Sequence, residues 1–339
     1  MPLCENRYMQ TKPAQTKFFW LILLISAIFL SIATTYAQVD DVTFRFIRIQ
    51  QEKVHQEMLE GVAGNPWQYR ILADWMLDPL MNWFVARDVL NPKPSAFIFF
   101  RFLQCLLIFF VAGVYYRKLG LSLGANLLGL SMLAWGMSLS LYNSDLSFNV
   151  FFDIIFYLIA AVLIMDGRFV WIPLLMIPAA LNRETSLLIP FMLLSFVYFG
   201  DKNAKSMRSV VIFSAASLIV FLLIFVGLRN YYGEQEFLTA DGYYPGIGLL
   251  VLNLSRFVTW EQLLLTLGII PFLAIFSYRA WHRTLKIFFW VVVPVWVAVH
   301  FFAALVAETR LLLVPQALIF IPGALFGIVE AANWEKHAS

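Results

Sequence analysis

Long apolar runs, each closed by charged or turn residues, recur near 18–37, 96–116, 121–141, 149–165, 168–181, 187–199, 209–228, 261–278, 285–306 and 311–330. Runs of this kind predict membrane helices. The expected fold class is all-α: a polytopic membrane helix bundle of about ten transmembrane helices, forming a single integral-membrane domain over 1–339. Two segments break the pattern, 38–95 and 229–260. The first opens with Asp40-Asp41, continues as a mixed-charge helical stretch to Glu60 and breaks at Gly61 and Gly64-Asn65-Pro66. Beyond the break, Trp67, Ile71, Trp75, Leu77 and Met81 are interspersed with Arg70, Asp74 and Asp78. This spacing predicts an outer juxtamembrane helix with one face in the lipid interface. The second segment, rich in tyrosine and glycine, is expected to be an irregular loop at the aromatic belt.

The runs at 168–181 and 187–199 are unusual as a pair. They are separated only by LNRETS at 181–186, which sets Arg183 and Glu184 between two arms. Each arm, with its flanks, carries roughly 14–16 residues, or about 22 Å of helix at ~1.5 Å per residue. A hydrocarbon core of ~30 Å needs about 20 residues. The two charges are therefore expected below the membrane surface, facing protein or a wet cavity. An ionisable group at that depth costs on the order of 3 kcal/mol even on a lenient scale. A turn that reaches the interface, with Arg183 snorkelling, stays open as the plain alternative.

Composition agrees with the pattern: 61% of the residues are hydrophobic and 13% charged, against the ~25% charged content of soluble domains. The net charge of +3 is too balanced to point to nucleic acid. Two cysteines, Cys4 and Cys105, give neither a disulfide framework nor a metal knuckle. With the N-terminus placed in the cytoplasm, 13 of the 24 basic residues fall in short inner tails and loops, a positive-inside distribution. Both termini are then cytoplasmic, and the expected location is a bacterial inner membrane. Residues 1–37 read as a retained span, with a cleaved signal peptide as the alternative.

Several polar groups could carry chemistry. Asp40 and Asp41 leave the first span together, where a carboxylate can act as a general base or help hold a divalent cation. Tyr69 and Arg70 follow the Gly-Asn-Pro break, where Arg70 can offer a bidentate fork to a phosphate. Asp145, Asn149 and Asp153 are spaced by four and are expected to stack on one helical face. Glu308 and Arg310 join the last two runs. Each has a bland counterpart in a solvated helix end, a packing hydrogen bond or a helix-end salt bridge. The four histidines are scattered, and phosphate-loop, dinucleotide, zinc-protease and hydrolase-elbow motifs are missing.

A first span followed at once by Asp40-Asp41 and an outer helical loop, then many spans without a cytosolic catalytic domain, resembles the GT-C class of integral-membrane glycosyltransferases. The resemblance implies a GT-C-like fold, an acidic base or metal contact in the first outer loop at Asp40 or Asp41, and a polyprenyl-phosphate sugar donor. The pieces NRETS at 182–186 and ETR at 308–310 look like motifs of bacterial multi-pass proteins near this class. The chain lacks the appended soluble domain of many members, which leaves the acceptor open. The expected function is sugar transfer from a lipid-linked donor at the extracytoplasmic face, with Arg70, Arg183 and Arg310 on the donor phosphate. Competing expectations are a transporter or flippase using Arg183, Glu184 and Asp153, and a non-catalytic assembly subunit.

Overall fold

The structure is a computed structural model, which describes residues 13–141, 145–200, 204–237, 239 and 242–338. Its regular elements among these residues are helices. In chain order they are α1 (Pro13–Val42), α2 (Phe44–Phe46), α3 (Glu52–Glu60), α4 (Leu72–Val85), α5 (Pro92–Lys118), α6 (Leu123–Ser138), α7 (Phe148–Met165) and α8 (Trp171–Asn182). There follow α9 (Leu188–Phe199), α10 (Ala204–Tyr232), α11 (Ile247–Ser255), α12 (Phe257–Leu267), α13 (Ile270–Phe276), α14 (Arg283–Ala303), α15 (Leu313–Pro315) and α16 (Ile321–Ala338).

Six of the ten predicted runs form helices long and apolar enough to cross a membrane: Lys17–Val42, Pro92–Lys118, Phe148–Met165, Met207–Tyr232, Arg283–Ala303 and Thr309–Ala332. The run at 261–278 is broken: α12 and α13 meet at 72°, around Gly268, whose φ of 57° and ψ of −143° no helix contains. Counted as one span, this pair makes seven. Leu123–Ser138, Trp171–Asn182 and Glu184–Phe199 are apolar but shorter than a bilayer requires. Six or seven helices of spanning length among the described residues suggest a helical membrane protein, and about ten spans would need the short ones to cross as well.

The segments 38–95 and 229–260 follow their sequence signals in part. α3 ends at Gly61 in a left-handed conformation (φ 84°), and α4 buries Leu72, Ala73, Leu77, Met81 and Phe84 while exposing Trp75 and Trp83. That is the expected amphipathic helix. The loop at 229–260 is shorter than expected, because α10 continues to Tyr232 and Ile247–Ser255 is helical.

The centre of the bundle is α7 and the final span. In each, 78% of the most apolar window is buried, against 22% for α10 at the periphery. A helix apolar all round belongs in such a position. α1 packs on α5 and α6, α5 on α7, α8 and α9 on α10, and α14 on α9. Along α1, Leu21, Ile25, Phe29 and Ile32 stay exposed, a stripe that suits lipid. The final span begins irregularly, with a 3₁₀ turn at Thr309–Leu312 and a π-helical turn at Gln316–Phe320. The π turn leaves carbonyls without their usual partners. Buried Tyr115 and Tyr116 of α5 donate their hydroxyls to two of them, Leu318 O at 3.0 Å and Ala317 O at 2.9 Å. Gln316 also lies so close to α6 that a Cβ at Gly136 would come within 2.7 Å of its Oε1.

Candidate functional site

The break between α8 and α9 is held by α7. Asp153 lies five residues into α7, about 8 Å along its axis, and is buried. Its carboxylate accepts from Asn182 Nδ2 at 2.8 Å, Arg183 Nη1 at 3.0 Å and Thr185 Oγ1 at 2.9 Å. Asn182 donates also to Asn149 O at 2.8 Å, Tyr157 donates its hydroxyl to Thr185 O at 2.5 Å, and Ser186 donates to Arg183 O at 2.8 Å. The helix stops because Arg183 is extended (φ −159°, ψ 153°), and a 3₁₀ turn, Glu184–Leu187, restarts it. Arg183 therefore pairs with Asp153. Glu184 points elsewhere.

Glu184 joins three elements. Arg70, after the 3₁₀ turn Trp67–Tyr69, donates to its Oε2 from Nε at 3.1 Å and Nη2 at 3.0 Å. Arg229 of α10 reaches Oε1 at 3.6 Å. Arg229 also lies 4.4 Å over the ring of Tyr69, whose hydroxyl donates to Gly233 O at 2.9 Å. Tyr69 is thereby buried in a small satellite core with Met58, Ile71 and Leu228.

The third group is the junction before the final span. Arg310, buried, donates from Nη1 to Asp145 Oδ1 at 2.9 Å and from Nη2 to Glu308 Oε2 at 2.8 Å. Nearby on α14, His300 is buried and stacks on Trp296, the ring centroids 5.0 Å apart. His300 Nδ1 lies 2.8 Å from Trp296 O, a pure acceptor, so this nitrogen carries the hydrogen. Its Nε2 faces Arg183 Nη2, a pure donor, at 3.4 Å. Those partners assign a neutral imidazole with the Nε2 lone pair directed at the guanidinium.

These groups surround a cavity of about 550 Å³, within the range of small-molecule sites. One wall is Pro66, Trp67 and Arg70; a second is Arg183, Glu184, Thr185, Leu187 and Leu188; a third is the α14 face of Val295, Trp296, Val299 and His300. Leu305, Glu308 and Leu311 complete it on the side of the final span, and Thr239 comes from the loop after α10. The cavity is an apolar slot with two arginines, two glutamates and one histidine. No protein-family model matches this chain, and neither the curated proteins nor the solved structures contain a significant match.

Of the residues singled out in the sequence, Arg70, Arg183, Glu184 and Glu308 share this cavity. Tyr69, Asp145, Asn149, Asp153 and Arg310 stand behind it as supports and do not line it. The expected stripe of Asp145, Asn149 and Asp153 on one helical face is corrected: α7 begins at Phe148, after Ser147 in a left-handed conformation (φ 44°), so Asp145 precedes the helix and turns to Arg310. Asp40 and Asp41 are exposed in the last turn of α1 and are not among the lining residues. No group of three or more histidine, cysteine, aspartate or glutamate side chains among the described residues could hold a metal ion. His300, Trp296, Thr185 and Arg229 were missed. Thr185 lies within the NRETS motif, and His300 is the lone ionisable residue between Lys286 and Glu308. Trp296 and Arg229 carry no signal that separates them from ordinary interfacial residues.

Proposed function

We propose that the cavity binds the phosphate-bearing head of a lipid-linked sugar and that the protein transfers the sugar at the extracytoplasmic face. The observation that carries this reading is the convergence of Arg70 and Arg183 with Glu308 in one ~550 Å³ slot bounded by apolar faces of α9 and α14. An amphiphile needs that combination, with cations for its head and Leu188, Val295 and Val299 beside its chain. Arg70 binds Glu184 through Nε and Nη2, which leaves its Nη1 edge for a phosphate oxygen. Glu184 is engaged by two arginines. Glu308 gives one oxygen to Arg310 and keeps Oε1. The base is therefore assigned to Glu308, in place of Asp40 and Asp41. It takes the acceptor hydroxyl proton as the acceptor oxygen bonds to the anomeric carbon. The bond from that carbon to the phosphate oxygen breaks, and the arginines stabilise the lipid phosphate that leaves. A conducting pathway fits less well, because α9 carries no charged residue and α14 none between Lys286 and His300.

The test is binding of a polyprenyl monophosphate to the purified protein in nanodiscs, compared with the uncharged polyprenol. Preference for the phosphate, reduced about tenfold or more in Arg70→Ala, is expected, since a charge-assisted hydrogen bond contributes ~1.5–3 kcal/mol. Equal binding of phosphate and alcohol by the wild-type protein would sink the proposal.

A further inference from the structure

A second recess lies at the far end of the same helix pair. α9 runs from Leu188, at the cavity, to Phe199, and α14 runs from Arg283 back to His300 at the cavity. The 18 residues from Arg283 to His300 span about 25 Å of helix at ~1.5 Å per residue step, comparable with the hydrocarbon thickness of ~30 Å. At this end Phe199, Arg283, Lys286, Ile287, Trp290 and Val291 enclose about 400 Å³.

Its chemistry is layered. Residues 283, 286, 287, 290 and 291 recur at helical spacing and share one face of α14. Both cations sit in the first turn of α14, and the residues beyond them are apolar. Arg283 donates from Nη2 to Phe199 O, tying the end of α9 to α14. Lys286 donates to Arg279 O at 3.0 Å and lies 5.2 Å over the ring of Tyr278. Each still has donors to spare. Trp290 donates from Nε1 to Tyr278 hydroxyl at 3.0 Å and is 65% exposed, its ring beside the recess. Among the described residues, no carboxylate lines the recess.

We infer that this recess binds an anionic phospholipid of the leaflet opposite the cavity. The phosphate sits at Arg283 and Lys286, and an acyl chain runs along Ile287, Trp290 and Val291. Two cations at the rim complement a head group of net negative charge, and the apolar face beneath them gives a soluble phosphate nothing to fill. An acyl chain fills it, and Trp290 occupies the interfacial position that tryptophan favours. This assignment is independent of what the ~550 Å³ cavity binds.

Native mass spectrometry of the full chain, released from nanodiscs holding equal phosphatidylglycerol and phosphatidylcholine, tests it. Phosphatidylglycerol should be retained preferentially. Each basic residue near an anionic surface contributes about fivefold to binding, so the preference should fall about fivefold in Lys286→Gln and roughly 25-fold in Arg283→Gln/Lys286→Gln. Lys286→Gln leaves the Arg283 tie intact, and its melting temperature should match the wild type, which keeps the test valid if the double variant folds poorly. Arg87→Gln, which removes an exposed cation elsewhere, should change nothing. The inference is overturned if both lipids are retained equally by the wild type, if Lys286→Gln behaves as the wild type, or if Arg87→Gln lowers the preference as much. Displacement of the lipid by millimolar glycerol phosphate would mark a soluble-phosphate site and overturn it as well.

Discussion

Replacing Asp153 with asparagine tests whether the α8–α9 break is clamped by a buried ion pair. The substitution keeps shape and removes charge. In the native protein the carboxylate accepts three side-chain hydrogen bonds, from Asn182, Arg183 and Thr185, while Arg183 Nε has no partner among the described residues. Asp153→Asn therefore leaves a buried guanidinium without its counter-charge, beside His300 Nε2 at 3.4 Å. Removing one partner of a buried pair costs ~3–5 kcal/mol. For a chain of 339 residues, an unfolding entropy of ~2.1 cal/mol/K per residue turns this into a melting shift on the order of 5 °C. The companion Arg183→Met leaves the opposite charge unpaired and should cost as much. Asp153→Leu/Arg183→Met removes both charges and should recover most of the loss, since an apolar pair of similar volume is often neutral or stabilising. Melting of the four proteins in one detergent, followed by monodisperse peak height in size exclusion, reads the cycle. A single variant within about 1 kcal/mol of the wild type, or a double variant no better than the sum of the singles, would refute the clamp.

The remaining predictions concern separate regions. Glu308→Gln should lower sugar transfer from a polyprenyl-phosphate donor by ~10²–10⁴-fold at normal expression, while Asp40→Asn and Asp41→Asn, exposed in the last turn of α1, should stay near wild type; the reverse result returns the base to the first outer loop. Arg101 of α5 is fully buried, its three nitrogens are unpartnered among the described residues and its guanidinium lies 3.6 Å over the Phe151 ring. Arg101→Met should therefore melt within about 1 kcal/mol of the wild type or above it, and a loss above ~3 kcal/mol would show a buried partner for the cation. Burial lifts the Asp74 carboxyl above the ordinary carboxylate range, opposed by its 2.7 Å hydrogen bond with His55. The folded state then holds that proton to higher pH than the unfolded state does, so the contribution is fullest below the ordinary value and is lost as pH rises through the folded one. Asp74→Asn should flatten the melting profile across that window, and an unchanged slope would assign it to other groups.

Much of the bundle was legible because apolar length and capping are local properties. The break at Arg183 could be read from two arms too short to span, and the end of α3 from Gly61. Arg70, Arg183, Glu184 and Glu308 stood out because charges are rare in this composition. Pairing was not legible: Glu184 follows Arg183 in the chain, yet binds Arg70 and Arg229, 114 and 45 residues away in sequence. The spacing of Asp145, Asn149 and Asp153 misled because periodicity does not show where a helix starts. The 72° bend at Gly268 escaped notice although Gly268 and Pro271 stand inside the run, because glycine and proline are also tolerated within continuous membrane helices. His300 was discounted because a lone histidine has no partner along the chain, and its partner, Arg183, comes from another helix.

The clamped break also constrains how the protein is made. α8 and α9 have 12 residues each, and neither alone presents the ~20 apolar residues that an insertion machinery recognises. Asp153 leaves the ribosome before Asn182, Arg183 and Thr185, so a chain stalled between them holds a carboxylate without these partners on one of the two most buried helices. Entry of the two short helices as one hairpin that docks on α7 would bring Asn182, Arg183 and Thr185 to Asp153 in a single step, so that the carboxylate gains all three of its side-chain partners together.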